Sequence, residues 1–128
     1  MKNLKNYLTE SEQSIKGLNN VTTEDIIEYV RYIIDNIIND CDLNIEALDY
    51  YVHGSRVFGN PRPDSDLDVV LYYKGNMKED AVYNILHDED YADQFQYDGI
   101  EIDVNPIRDQ ETGSLKQYIS KDKNYKKE

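Results

Sequence analysis

The chain has 128 residues, a length that fits one domain with a hydrophobic core of its own. Lys and Arg number 14 and Asp and Glu 26, which gives a formal net charge of −12 at pH 7. Because affinity for nucleic acids and anionic lipids comes largely from Lys and Arg, this balance argues against a general nucleic-acid binder and against binding to an anionic membrane surface.

The first 21 residues are polar with scattered apolar side chains and are predicted to form an N-terminal arm or a weak helix. They lack the apolar middle of a secretory signal, and no apolar run along the chain approaches the length of a membrane span. We therefore expect a cytoplasmic protein without a membrane association.

A helix is predicted over residues 22–40, where isoleucine and valine recur at steps of three and four residues and form one apolar face. Thr22 and Asp25 resemble a capping box at its start, with Asp in place of the usual Glu. Cys41 follows this apolar stretch and is expected in or near the core. As the single cysteine, it excludes an intramolecular disulfide.

Three segments rich in β-branched and aromatic residues predict strands, at residues 47–52, 67–73 and 100–105. A helix is predicted between the last two, capped by Asn76 with Glu79 and continuing to about His87. The acidic run at residues 88–90 is expected to be solvated surface. Pro106 is expected to end the last strand, because proline cannot donate to a sheet ladder.

The net charge of the chain changes from negative to positive after the last predicted strand. Residues 1–113 carry 9 basic and 24 acidic side chains, whereas residues 114–128 carry 5 basic and 2 acidic ones. We expect residues 113–128 to be a basic C-terminal tail, solvated and partly disordered, in which Ser114 caps a short helix over residues 113–119. A contact of this tail with a phosphate or an acidic partner is the alternative.

The order of these elements predicts an α+β (α/β-like) fold, in which a small mixed β-sheet is flanked by helices. We assign residues 22–112 to this domain, between the arm and the tail.

The residues that suggest chemistry lie between the first two strands. A strand ends at Gly54-Ser55, where a glycine lets the backbone approach a phosphate and a serine hydroxyl can donate to it. Asp66 and Asp68 stand two residues apart at the start of the next strand, so both point to one face. Two carboxylates aimed together repel unless a cation lies between them, and hard oxygen ligands suit Mg²⁺ or Mn²⁺. A phosphate cradle beside such a metal site is what nucleotidyl transfer needs.

Asp103 is the best candidate for a third carboxylate. It lies mid-strand on the polar face of residues 100–105, and it can meet Asp66 and Asp68 if its strand pairs with theirs. Glu101 lies on the same face and is the reserve candidate.

The spacing of these residues resembles that of the nucleotidyltransferases of the DNA polymerase beta superfamily, and of the minimal nucleotidyltransferases in particular. Their signature is Gly-Ser, ten residues, then Asp-x-Asp, with a later Asp on a neighbouring strand. Here residues 56–65 separate Gly54-Ser55 from Asp66-Leu67-Asp68. The resemblance covers roughly residues 24–108 and implies the nucleotidyltransferase fold.

The resemblance also implies the roles of the residues. Gly54 and Ser55 would hold the nucleotide triphosphate, and we add Arg56 and Gly59 to this nucleotide-binding group, since Gly59 matches a small residue often found in the intervening turn. Asp66 and Asp68 would bind two divalent ions, Mg²⁺ or Mn²⁺. Asp103 would join them as a metal ligand and help to deprotonate the acceptor hydroxyl.

The expected function is a metal-dependent transfer of a nucleoside monophosphate from an NTP, with ATP as the expected NTP, to an acceptor hydroxyl with release of pyrophosphate. Minimal members similar to this chain often act with HEPN-type partner proteins, some as antitoxins that adenylate the partner. We expect the acceptor to be held by such a partner or by a dimer mate, or to be the partner itself. The acidic body disfavours a nucleic-acid acceptor and leaves open a protein or a small cationic molecule such as an aminoglycoside. The alternative is a non-catalytic, antitoxin-like module that keeps the fold and works by binding a partner.

Two other motifs fail. An EF-hand starting at Asp64 would need glycine at its sixth position and glutamate at its twelfth, where Val69 and Gly75 stand. A Walker P-loop would need Gly-Lys-Ser/Thr, but Gly59 is followed by asparagine and proline. His53 is either catalytic or structural, and His87 is interpreted as a helix-end residue near the negative end of the helix dipole.

Overall fold

The computed structural model describes residues 13–122 of the chain. This part contains five helices and four strands. In chain order they are α1 (Thr23–Cys41), β1 (Ile45–His53), α2 (Ser55–Phe58), β2 (Leu67–Gly75), α3 (Glu79–Leu86), α4 (Glu89–Ala92), β3 (Gln96–Tyr97), β4 (Ile100–Ile107) and α5 (Leu115–Lys121). Among these helices none is long and apolar enough to cross a membrane.

The four strands form one mixed sheet in the order β1-β2-β4-β3. Strand β2 runs antiparallel to β1 and parallel to β4, and β3 forms an antiparallel hairpin with β4. The register places His53 opposite Asp68, and Asp68 opposite Asp103, so these residues form one row across three strands. The predicted α+β fold with a small mixed sheet and flanking helices is confirmed.

Helix α1 covers one face of the sheet, as its apolar spacing predicts. Thr22 and Asp25 form a complete capping box in which each side chain accepts a hydrogen bond from the other residue's backbone N–H. Its apolar face is fully buried and comprises Ile26, Val30, Ile33, Ile34 and Ile37. Each such side chain contributes about 1.5–3 kcal/mol by leaving water, so this face anchors the helix to the sheet.

The opposite face of the sheet carries a second, smaller cluster. Val70, Ile107 and Leu115 are buried together there, so α5 packs over β2 and β4. Because side chains alternate along a strand, Asp68 shares this face of β2 with Val70. The carboxylates therefore lie on the face that α5 partly covers. The short helix predicted within the C-terminal tail is present as α5, and Ser114 caps it as predicted. Residues 123–128 of the predicted tail lie outside the described part.

Strand β4 continues through Pro106 to Ile107, so the expectation that Pro106 ends it is wrong. Pro106 pairs with Leu71 of β2 on one side. On the other side β3 pairs only with residues 100 and 101, so within the described chain the proline lies on an open edge of the sheet. Proline is tolerated there because no neighbouring strand needs its N–H.

Helix α3 begins after Lys78, and Asn76 is not its cap. Its first N–H group, that of Glu79, donates instead to the Glu111 carboxylate at 2.7 Å. The acidic run is exposed as expected, but it also starts α4, where the Asp88 side chain accepts from the Asp90 N–H.

Cys41 is exposed, which corrects the expectation of a core thiol. It is the last residue of α1 and lies one turn beyond the last buried isoleucine, and its Sγ lies 3.0 Å from the hydroxyl oxygen of Tyr91. Of the predicted N-terminal arm, residues 1–12 lie outside the described part. Residues 13–21 pack against the domain through Ile15, whose exposed fraction is 1%.

Candidate active site

The turn after β1 brings the backbone against a carboxylate. Gly54 joins β1 to α2 with φ 92° and ψ −170°, a conformation essentially restricted to glycine. A Cβ at this position would overlap Oδ2 of Asp68, so the absence of a side chain lets the turn close over the Asp68 carboxylate. Ser55 follows as the first residue of α2, and Gly59 ends this helix by donating its N–H to the Ser55 carbonyl at 3.0 Å.

The three predicted carboxylates belong to two neighbouring parallel strands, with Asp66 and Asp68 at the start of β2 and Asp103 in the middle of β4. Asp66 precedes β2 and is exposed, whereas Asp68 is half-buried and stands directly opposite the exposed Asp103 of β4. Burial raises the pKa of Asp68 above its ordinary value of 3.8; the negative charges of Asp103 and Asp66 raise it further, and His53 opposes them. β2 and β4 are paired, which is the condition under which Asp103 was expected to meet Asp66 and Asp68.

Glu101, the reserve candidate, lies one pleat away from Asp103 on the same face of β4. It stands opposite Gln96 in the β3–β4 hairpin and lines a cavity of about 240 Å³ that His87 also lines. The row formed by His53, Asp68 and Asp103 therefore does not include it.

The donor set fits a hard divalent cation. Its members are carboxylates on one face, and two of them repel each other across the strand pair, a repulsion that a cation would relieve. As the side chains stand, no three His, Cys, Asp or Glu residues within residues 13–122 converge closely enough to hold a metal ion. The residue types and their register thus match such a site, but the side chains in this structure do not point together closely enough to coordinate an ion.

Arg56 does not point towards this row. Only 3% of its surface is exposed, and its guanidinium donates four hydrogen bonds to backbone carbonyls. Three of these carbonyls belong to Arg62, Pro63 and Ser65 in the loop before Asp66, and the fourth belongs to Lys16. Since its donors are used inside the protein, we assign Arg56 to holding this loop in place of the nucleotide contact that we expected.

His87 reaches the site from the end of α3. Its Nε2 lies 3.1 Å from Oδ1 of Asp103, and its Nδ1 lies 2.9 Å from the carbonyl oxygen of Tyr83. His87 is the C-cap residue of α3, as its interpretation as a helix-end residue predicts. The contact with Asp103 was missed, because the end of a helix in sequence does not indicate which strand it reaches.

His53 lies beside the carboxylates at the other end of the row. Its ring stacks on Tyr51 at a centroid distance of 5.2 Å and meets the edge of Tyr118 from α5 at 5.7 Å. Asp122, just beyond α5, accepts from the Tyr51 hydroxyl at 2.8 Å and lies 3.6 Å from His53 Nδ1. The tail that we interpreted as solvent-exposed therefore supplies a tyrosine and a carboxylate beside the site.

The comparison with protein families agrees with this geometry. The family model described as polymerase beta, nucleotidyltransferase matches residues 33–125, well over half of the chain. The chain belongs to this nucleotidyltransferase family. Comparisons with curated proteins and with solved structures gave no significant match.

The family match confirms the resemblance to minimal nucleotidyltransferases and supports a general role in nucleotidyl transfer. The matched nucleotidyltransferase region includes all residues predicted for the site, and it also includes His87 and Asp122. The Ser114 cap and Gln117 three residues later predict the helix that precedes Asp122, but not the position of that helix beside the sheet.

Proposed function

We propose that this nucleotidyltransferase moves a nucleoside monophosphate from an NTP, with ATP as the expected donor, to a hydroxyl group of an acceptor. The observation that carries the proposal is the register of the parallel strands, which sets Asp68 opposite Asp103 while the Gly54 turn closes over Asp68. The phosphates can therefore bind at the Gly54 turn, next to carboxylates that can bind cations and accept a proton.

Asp66, Asp68 and Asp103 would hold divalent cations, Mg²⁺ or Mn²⁺, which when bound neutralise the triphosphate and lower the barrier for attack on it. Gly54 allows the backbone to approach the phosphates, and the hydroxyl of Ser55 donates a hydrogen bond to a phosphate oxygen. Burial and repulsion at Asp68 mean that the free protein carries unfavourable charge there, which supports a role for this residue in binding positive charge.

Asp103 accepts the proton of the acceptor hydroxyl. The hydroxyl oxygen forms a bond to the α-phosphorus, and the bond between this phosphorus and the oxygen bridging to the β-phosphate breaks. Pyrophosphate leaves with that bridging oxygen, so the reaction needs no further reactant. The exposed position of Asp103 leaves its carboxylate accessible to an acceptor.

We propose that the acceptor is a hydroxyl group on a protein, either a HEPN-type partner or a second copy of the chain. The acidic surface supports a partner without strong negative charge, since like charges across an interface cost affinity.

The test is the thermal stabilisation of the full chain by each NTP, with and without Mg²⁺. Ligand at a hundredfold excess over its Kd stabilises a protein by about 2.7 kcal/mol. We compare the wild type with the double variant Asp66→Asn/Asp68→Asn and with a control, Asp90→Asn/Asp93→Asn, which removes the same charge from exposed positions.

We expect a Mg²⁺-dependent stabilisation in the wild type and in the control, and none in the Asp66→Asn/Asp68→Asn variant. Release of pyrophosphate on addition of a candidate partner would then identify the acceptor. The proposal fails if no nucleotide stabilises the wild type, or if the Asp66→Asn/Asp68→Asn variant is stabilised equally.

A further inference from the structure

The ring of His87 makes three contacts, although the residue lies at the exposed end of α3. Both of its ring nitrogens face oxygen atoms, Nδ1 the Tyr83 carbonyl at 2.9 Å and Nε2 the Asp103 carboxylate at 3.1 Å. Its ring also stacks on the Tyr83 ring, with centroids 3.8 Å apart and planes at 17°. Because a neutral imidazole carries one N–H, donation to Asp103 needs the proton on Nε2, and hydrogen bonds to both oxygens need the charged ring. Rotation of the imidazole would lose the stacking or the contact with Asp103, so both contacts favour the present orientation.

Asp103, by contrast, has little else to fix its carboxylate. Its side chain is 48% exposed, and the only hydrogen bond to it within residues 13–122 comes from His87. Across the strand pair it faces Asp68, whose negative charge repels it. A carboxylate in this position would turn towards solvent if nothing held it, because rotation about its side-chain bonds is free there.

We propose that His87 is a positioning residue for Asp103, which holds Oδ1 and thereby aims Oδ2 at the substrate side of the row. The inference rests on the proposed function, because it assigns to Asp103 the role of metal ligand and proton acceptor. Residues that orient a metal-binding carboxylate typically change metal affinity or activity about 10–100-fold when they are replaced.

His87 acts through geometry at the end of a rigid element. Helix α3 is fixed to the core by the buried Val82 and Leu86, so its last turn has a defined position relative to β4. His87, the C-cap residue of this helix, therefore has a defined position relative to the Asp103 side chain. A carboxylate held in the productive orientation avoids the entropy loss that a free one undergoes during each turnover.

Two matched substitutions separate the contact with Asp103 from the contact with Tyr83. In His87→Gln the amide nitrogen reaches the position of Nε2 and can donate to Asp103. In His87→Asn the shorter amide reaches only the position of Nδ1 and can donate to the Tyr83 carbonyl. Both variants lose the stacked ring, so an effect of the ring on folding appears equally in the two.

The measurement is Mn²⁺ binding followed by electron paramagnetic resonance, with a non-hydrolysable α,β-methylene ATP present, together with the thermal midpoint of each protein without ligand. We expect His87→Asn, and a third variant, His87→Leu, which keeps neither donor, to weaken Mn²⁺ binding about 10–100-fold. His87→Gln should keep most of the wild-type affinity, because its amide can still donate to Asp103. The thermal midpoints of the Asn and Gln variants should be similar.

The positioning role is overturned if all three variants bind Mn²⁺ like the wild type, if Asn and Gln lose affinity equally, or if removal of the imidazole tightens binding. In these cases the wild type still binds Mn²⁺ with the nucleotide, and the proposed function stands. If the wild type binds neither the ion nor the nucleotide, the proposed function fails and the role of His87 fails with it.

Discussion

Replacing Gly54 by alanine should destabilise the fold by more than backbone strain alone. The φ and ψ angles of 92° and −170° fall in a region essentially reserved for glycine, where another residue costs about 1–3 kcal/mol. The new Cβ would also overlap Oδ2 of Asp68, and overpacking of this kind costs a further 1–3 kcal/mol, roughly. We therefore expect Gly54→Ala to lower the free energy of unfolding by about 2–6 kcal/mol.

Gly99 provides a matched control. It also has a positive φ, 86°, but a Cβ built there meets no atom within 4 Å. Gly99→Ala should therefore cost only the left-handed strain, about 1–2 kcal/mol. Urea unfolding followed by circular dichroism gives both free energies, and the excess for Gly54→Ala contains the overlap with Asp68 together with any difference in backbone strain.

A double-mutant cycle with Asp68→Ala identifies the cause of the excess. Removing the carboxylate removes the overlap but leaves the backbone strain, so Gly54→Ala should cost less in the Asp68→Ala background. We expect a coupling free energy of about 1 kcal/mol or more, within the range seen for residues in contact. If the two substitutions are additive, and Gly54→Ala costs no more than Gly99→Ala, the Gly54 turn does not lie against Asp68.

Two further predictions concern stability. Tyr50 is 6% exposed and its hydroxyl has no hydrogen-bond partner among residues 13–122, so Tyr50→Phe should stabilise the protein by about 1 kcal/mol in urea unfolding; a loss of similar size would reveal a partner. Hydrogen bonds from the Glu79 N–H and the Arg108 side chain lower the pKa of Glu111 below 4.5. That stabilisation is present above the ordinary pKa and is lost as the pH falls through the lowered one. The thermal midpoint of the wild type should therefore exceed that of Glu111→Gln near neutral pH, with the gap closing as the pH falls below 4.5; a constant gap would contradict this.

Local patterns were sufficient to predict the main elements. The spacing of apolar residues predicted α1, the β-branched and aromatic residues predicted β1 and β2, and alternation predicted β4. Each predicted boundary lies within two residues of the observed one. The two-residue strand β3 was missed, although Asp98-Gly99 was a signal for it. Both residues have positive φ, 51° and 86°, as a tight hairpin turn requires. Pro106 was misread because a sequence does not show which edge of a strand lacks a neighbour.

The motif and the alternation together predicted that Asp66, Asp68 and Asp103 share a face, and strand pairing then determined which two are opposite each other. A shift of one residue in this register would turn Asp103 to the core. The buried Ile102 and Val104 on either side prevent such a shift, because it would expose both of them. The apolar neighbours of Asp103 therefore determine the strand register, and the register determines where its carboxylate lies.

The residues that surround the carboxylates could not be found in this way, because helices place them. His87 is 16 residues from Asp103, and Asp122 is 71 residues from Tyr51. Periodicity predicts which face of α3 or α5 is buried, but not how far along the sheet each helix ends, and His87 and Asp122 both follow directly at a helix end. A helix that ended one residue later would rotate the next side chain by about 100° and remove it from the site. The surroundings of the site thus depend on helix length and packing angle, which only the folded chain defines.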